Sequence, residues 1–297
     1  MKQYNIKNRQ KQKGILAILC AAFCFALMTA FVRLAGDLPS VQKSFFRNLV
    51  ALLFAAAVLL RTEEKFRFRK ENFVPLLLRA AFGTVGILGN FYAVDHLLLS
   101  DASMLNKLSP FFAILFSYLL LKEKMRPFQI MAVIGAFIGS LFIVKPSGQG
   151  LFSLGAAAGL LGGLGAGAAY TFVRVLGQRG ERKPFIVFFF SAFSCLVTLP
   201  FLLIDFHPMQ PVQLIYLLLA GLAAAGGQFS ITTAYSLAPA KEISVYDYTQ
   251  VIFAAVLGFL LFGQVPDIYS LIGYGIIGTV SVVMFFLSAK NRGIDPL

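Results

Sequence analysis

The chemistry this chain can do is concentrated in a few polar and charged side chains set inside apolar runs. In Ser100–Lys124, SDASMLNKLSPFFAILFSYLLLKEK, the residues Asn106, Lys107, Ser109 and Pro110 interrupt a stretch otherwise suited to hydrocarbon. A lysine at the centre of a membrane helix costs about 2.5–3.5 kcal/mol on insertion scales, so Lys107 is expected to face protein or water. The stretch is repeated about 140 residues later as Ala240–Gln264, AKEISVYDYTQVIFAAVLGFLLFGQ, with Lys107 falling on Asp247, Asn106 on Tyr246 and Ser109 on Thr249. Two related segments thus carry one charge each, opposite in sign, at the same place. That arrangement predicts a substrate site in which Lys107 meets an anionic group and Asp247 a cationic one. Asn106, Tyr246, Tyr248, Thr249 and Gln250 supply hydrogen bonds on the same faces, and Asn90, Tyr92, Gln228 and Thr232 complete the wall. Coupling to protons needs a carboxylate or imidazole that cycles, and the candidates are Asp247, Asp101 and His96.

Depth counting sets expectations for who meets whom. Lys107 lies about seven residues into one span and Asp247 about seven residues into another entering from the opposite side. At 1.5 Å per residue the two are expected roughly 10 Å or more apart along the membrane normal. Closer partners by depth are Arg79 or Arg174 for Asp247, and Asp37, Asp95 or Asp101 for Lys107, Arg33 and Arg47. The plainer reading of every such pair is a lock between helices. Arg33 and Arg174 sit near helix ends, where they can snorkel to the interface.

The elements that must hold these residues follow from composition. The chain has 297 residues, 58% of them hydrophobic and 13% charged, with 32 Phe and 26 Gly, whereas a soluble domain is nearer half apolar and a quarter charged. This predicts an all-α membrane protein. Ten spans can be drawn, from 14–35 to 266–289, with the critical fourth and ninth at 100–121 and 241–262. The Lys and Arg residues between spans fall 19 on one side against 2 on the other, Lys43 and Lys145, which places both termini in the cytoplasm. The net charge of +13 therefore reads as loops facing anionic lipid headgroups, not as a nucleic-acid footprint. The N-terminal run Gly14–Ala35 is too long for a signal-peptide core and reads as a retained first helix. Cys20, Cys24 and Cys195 sit within spans and form no disulfide or metal spacing. The glycine letters of Gly159–Tyr170, GLLGGLGAGAAY, mimic a dinucleotide fingerprint, but no strand precedes them. They predict a tightly packed sixth helix, and Gly83–Gly86, Gly135–Gly139 and Gly273–Gly278 predict close helix contacts.

AFVRLAG, Ala30–Gly36, is echoed by TFVRVLG, Thr171–Gly177, so the repeat spans both halves: residues 1–147 and 148–297, five helices each. Because five is odd, the second half enters the membrane upside down. Inverted repeats of this kind place substrate at the midplane between halves and rock for alternating access. The runs NFYAVDHLLLSDASMLNKLSPFFAILFSYLLLKEKMRPFQ, FFRNLVALL and IGAFIGSLFIVKP resemble the EamA-type ten-helix carriers of the drug/metabolite transporter superfamily, over nearly the whole chain. The second half departs from the pattern, with Gly263 and Gln264 where the first ends on an acidic-basic pair. The resemblance implies secondary transport, often export, of amino acids, metabolites or drugs across a bacterial plasma membrane. A small polar or zwitterionic cargo suits the charged pair. The rivals are efflux of cationic or lipophilic compounds and a non-transporting membrane subunit. An intramembrane enzyme lacks a catalytic set, since there is no paired His, HExxH or Ser-His arrangement. No cofactor or metal is called for. The expected partners are a small-molecule substrate, the lipid bilayer and a proton as candidate coupling ion, with the chain a monomer or homodimer.

Overall fold

In the computed structural model, which describes residues 2–96, 105–144, 153–263 and 265–290, the chain is helical throughout. The helices are α1 (Lys2–Leu34), α2 (Ser40–Leu60), α3 (Phe73–His96), α4 (Ser109–Leu121), α5 (Pro127–Val144), α6 (Leu154–Gln178), α7 (Lys183–Ile204), α8 (Pro211–Leu237), α9 (Thr249–Phe262) and α10 (Ile268–Lys290). A single helical turn at Ala240–Ile243 and a 3₁₀ stretch at Ser244–Tyr248 precede α9. Among the described residues, eight segments are long and apolar enough to cross a membrane, while α4 and α5 are shorter apolar helices. Their outer surface carries Leu53, Leu196, Leu203, Leu260 and Phe286, all more than half exposed. Such a belt is unsuited to water and suited to acyl chains.

The packing follows a pseudo-two-fold rule. α1 packs on α8 and α3 on α6; α2 packs on α7 and α5 on α10; α4 packs on α6 and α9 on α1. Exchanging each helix of the first five for its counterpart in the second five maps these contacts onto one another. The repeat visible in AFVRLAG and TFVRVLG is thus a repeat of packing partners, and the two halves are interleaved.

Small residues set how close those partners come. α6 has the largest buried share of its apolar stretch among the eight spans, as its glycines predict. Its Gly162 faces the backbone of Gly89 and Asn90 on α3, and Gly167 faces Phe112 and Ala113 on α4. Gly135 meets Val280, and Gly139 and Gly273 meet each other's backbone across α5 and α10. The expected Gly273–Gly278 face holds only at Gly273, since Gly275 and Gly278 have open space around them.

Polar clasps close the ends of the bundle. The buried Glu181 carboxylate accepts from Asn72 Nδ2 at 2.9 Å, the Arg182 amide at 3.0 Å and the Arg69 amide at 3.3 Å, tying the loop before α3 to the loop before α7. At the other end the buried Gln42 donates to the His207 carbonyl at 2.8 Å and accepts from its amide at 3.0 Å.

A Cβ at Gly89 would lie 2.5 Å from the Ala158 carbonyl oxygen and 2.9 Å from the Gly162 nitrogen, backbone atoms that cannot give way. Gly89→Ala is therefore expected to lower the thermal midpoint of the detergent-solubilised protein by several degrees. Gly278→Ala, with nothing to strike, is expected to leave it unchanged or raise it, in line with the ~1 kcal/mol helix preference of Ala over Gly.

Candidate functional site

Pro110 explains why α4 begins only at Ser109. It has no N–H to give to the carbonyl four residues back, at Asn106, and its ring crowds that carbonyl. The backbone accordingly leaves α-helical geometry at Lys107–Leu108 and resumes as α4 at Ser109. The counterpart segment Ala240–Phe262 is broken at the equivalent place without a proline, by the 3₁₀ stretch Ser244–Tyr248, which is buried throughout. Irregular backbone at membrane depth survives only where protein or a watery cavity surrounds it and its freed polar groups find partners. Here the freed Lys107 carbonyl accepts from the buried Tyr248 hydroxyl at 2.9 Å. One break closes the other.

The same crossing joins the charges. Lys107 Nζ donates to Gln250 Oε1 at 2.8 Å and stands 3.8 Å from Asp247 Oδ2, with both side chains nine-tenths buried. This corrects the depth estimate that set the two roughly 10 Å or more apart. The estimate assumed straight helices from the membrane edge, and neither segment is one. It also corrects the alternative partners assigned to Asp247. Arg79 Nη2 donates to Gln228 Oε1 at 3.1 Å. Arg174 pairs with Glu123 at 3.2 Å and donates to the Ser236 carbonyl at 3.3 Å. Arg174 and Arg33 are repeat counterparts, but Gly263 supplies no carboxylate in the second half, and the Arg33 guanidinium lies over the Phe262 ring at 4.7 Å.

The remaining expected residues divide. Tyr246 is buried at the break, and Thr249 turns its hydroxyl to the Tyr246 carbonyl at 2.6 Å. Asn106, half-buried, is the residue before Lys107, and Asn90, also half-buried, lies on α3 where it meets Gly162. Tyr92 and His96 are not joined to this cluster. They stack on each other at 3.9 Å on the exposed end of α3, with His96 Nδ1 2.9 Å from the Tyr92 carbonyl. Asp101 and the Asp95 side chain lie outside the described residues.

Sequence reasoning missed Tyr170 and Tyr235. Their rings stack at 4.8 Å, bridging α6 and α8, and Tyr235 is fully buried. The Tyr235 hydroxyl lies 3.4 Å from Ser244 Oγ, and Tyr170 is within electrostatic reach of Asp247, Arg47 and Arg79. Beside the stacked phenols lies a second buried cluster. In it Arg47 Nε reaches Met28 Sδ at 2.9 Å and Nη1 reaches Asn48 Oδ1 at 3.4 Å, while the Arg79 guanidinium also stands over Phe190 at 4.1 Å. A signal was present in the sequence: TFVRVLG carries its repeat partner's pattern, and Tyr170 is the residue just before it.

The EamA-like transporter family matches residues 12–145 and again residues 153–287. This chain belongs to that family. The pseudopaline exporter CntI of Pseudomonas aeruginosa is 33% identical over 284 residues, covering 95% of this chain and 98% of that protein. The riboflavin transporter of Brucella anthropi is 25% identical, covering 84% and 90%. The human solute carrier family 35 member G1 is 25% identical, covering 85% and 73%. A solved crystal structure superposes with a TM-score of 0.78 at 16% identity, over 94% of this chain and 99% of that one, and shows the shared fold. The protein is a multi-pass membrane transporter of the drug/metabolite type, and its family and relatives are transporters, not enzymes.

The crossing makes a direct prediction. Tyr248→Phe removes the donor from the Lys107 carbonyl and leaves it buried, at a cost of about 1–2 kcal/mol. The thermal midpoint is expected to fall, and to fall less when Lys107 is already replaced by Ala and the local backbone is free to relax.

Proposed function

We propose that this chain is a secondary active transporter that moves a small polar or zwitterionic metabolite, such as an amino acid, outward across the plasma membrane by alternating access. The observation that carries the reading is the meeting of Lys107, Asp247 and Gln250 where two broken helices of opposite halves cross. Opposed breaks in paired helices are where inverted-repeat carriers hold substrate. An ion pair 3.8 Å long with a neutral amide beside it is also poorly closed. A substrate ammonium on Asp247 and a carboxylate on Lys107 would make shorter, charge-assisted contacts. Tyr246, Tyr248, Thr249, Asn106 and Gln228 line the approaches, with Asn90 and Tyr92 further out along α3.

In this reading ten spans cross the bilayer, with α4 and α5 completing the set, and both termini lie in the cytoplasm. The halves are 1–147 and 148–297. The 19-to-2 bias of Lys and Arg supports that orientation. Relatives named for pseudopaline export and riboflavin transport support a small organic cargo. Asp247 is the coupling carboxylate: its protonation would release Lys107 and shift the balance between the two rocking states.

Extracellular metabolites of cells producing the protein identify the cargo, and proteoliposomes then measure its flux. Lys107→Ala and Asp247→Ala are each expected to cut flux at least about tenfold, equivalent to ~1.4 kcal/mol. Unchanged kinetics in both would end the substrate-site reading. An imposed pH gradient is expected to drive counterflow in wild type but not in Asp247→Asn. A wild type indifferent to the gradient would leave facilitation or exchange as the mechanism.

A further inference from the structure

Arg47 and Arg79 are 5% and 2% exposed, and each guanidinium has five N–H donors. Among the described residues only three of these ten donors have a hydrogen-bond acceptor: the Met28 thioether, the Asn48 amide and the Gln228 amide. The one additional contact of note is the Phe190 face beneath Arg79. Every one of these partners is neutral. Neither arginine makes an ion pair with a described carboxylate, and Arg79 Nε is buried with no partner. By contrast, Arg174 and Lys107 each have a carboxylate within 4 Å.

Neutral acceptors and an aromatic face compensate a buried guanidinium only in part, and a charge in a membrane interior that lacks a counter-ion marks a pathway. The surroundings reinforce this. Asn48 Nδ2, Ser44 Oγ, Ser191 Oγ and Thr232 Oγ1 are buried polar atoms without hydrogen-bond partners, on the helices that flank the two arginines. Tyr170, within electrostatic reach of both arginines, stacks on Tyr235, whose hydroxyl lies 3.4 Å from Ser244 Oγ in the stretch that carries Asp247, so the arginine cluster adjoins the Lys107–Asp247 crossing. The described charges of that centre are Arg47, Arg79 and Lys107 against Asp247 alone, an excess of two positive charges.

We infer that Arg47 and Arg79 form an oxyanion subsite, and that the cargo is a solute with at least two anionic groups: one held by the arginine pair, another by Lys107. This rests on the transport reading above and narrows it. A single-carboxylate amino acid would leave the arginines unmatched, whereas a polycarboxylate or phosphorylated metabolite would neutralise the centre. The planar, always charged guanidinium grips a carboxylate or phosphate through two parallel N–H bonds, which a lysine cannot reproduce.

The test compares extracellular metabolites, by mass spectrometry, among cells producing wild type, Arg47→Gln, Arg79→Gln, Arg79→Met and Arg79→Lys, with thermal midpoints of the purified proteins alongside. Compounds whose extracellular level depends on wild type are expected to carry two or more anionic groups at neutral pH. Their structures separate carboxylate from phosphate cargo. The neutral variants are expected to lose the effect by about tenfold or more, and Arg79→Lys to recover it only in part. Their thermal midpoints are expected to equal or exceed that of wild type, because an uncompensated buried charge has been removed. A cargo with one anionic group or none, full activity in Arg79→Gln, or failure of both Arg79→Gln and Arg79→Met to accumulate overturns the subsite. If no compound responds to wild type at all, the transport reading fails first, and the subsite goes with it.

Discussion

A backbone carbonyl released from a helix inside hydrocarbon must find a donor, and in this protein the donor comes from the other half of the chain. Pro110 frees the backbone around Lys107, and the Tyr248 hydroxyl answers it from the equivalent break in the second half. The Lys107–Asp247 meeting is arranged around that exchange. The Lys107 ammonium, carried by the same residue, reaches Gln250 and approaches Asp247. The 3₁₀ stretch Ser244–Tyr248, all five of whose residues are buried, eclipses side chains three residues apart.

The rest of the structure holds the crossing in place while leaving it soft. α3 and α6 approach through glycine backbones, α1 and α8 pack in the mirrored arrangement, and α5 and α10 meet at Gly139 and Gly273. Contacts through small residues hold helices together by close van der Waals approach and do not require interdigitated side chains. Directional bonds tie the ends as well as the centre, in the Glu181 clasp and the Gln42 clasp.

The imperfection of the repeat carries as much meaning as the repeat. Arg33 and Arg174 occupy matching positions, yet Arg174 pairs with Glu123 while the second half has Gly263 at the place of Glu123, and Arg33 lies over the Phe262 ring. Lys107 and Asp247 match in position and oppose in charge. A carrier built from two identical halves would have a centre of one sign. Divergence at these sites gives the centre a mixed character, with positive charge in excess.

The sequence by itself determined the class and the outline. Apolar runs, interrupted charges, the Lys and Arg bias and two repeated motifs specify a membrane bundle of two related halves, because hydrocarbon admits few backbone solutions and composition reports which one is in use. It also marked Lys107, Asp247, Gln250, Tyr248 and Gln228, since a polar residue in an apolar run is conspicuous. Only the tertiary structure decided who meets whom. Counting 1.5 Å per residue placed Lys107 and Asp247 apart and gave Asp247 to Arg79 or Arg174, because a linear count cannot register that both helices break where they cross. Tyr170 and Tyr235 escaped notice for a related reason. A tyrosine in a membrane helix is common enough to pass as an interface anchor, and its role emerges only when helices from both halves bring two of them face to face.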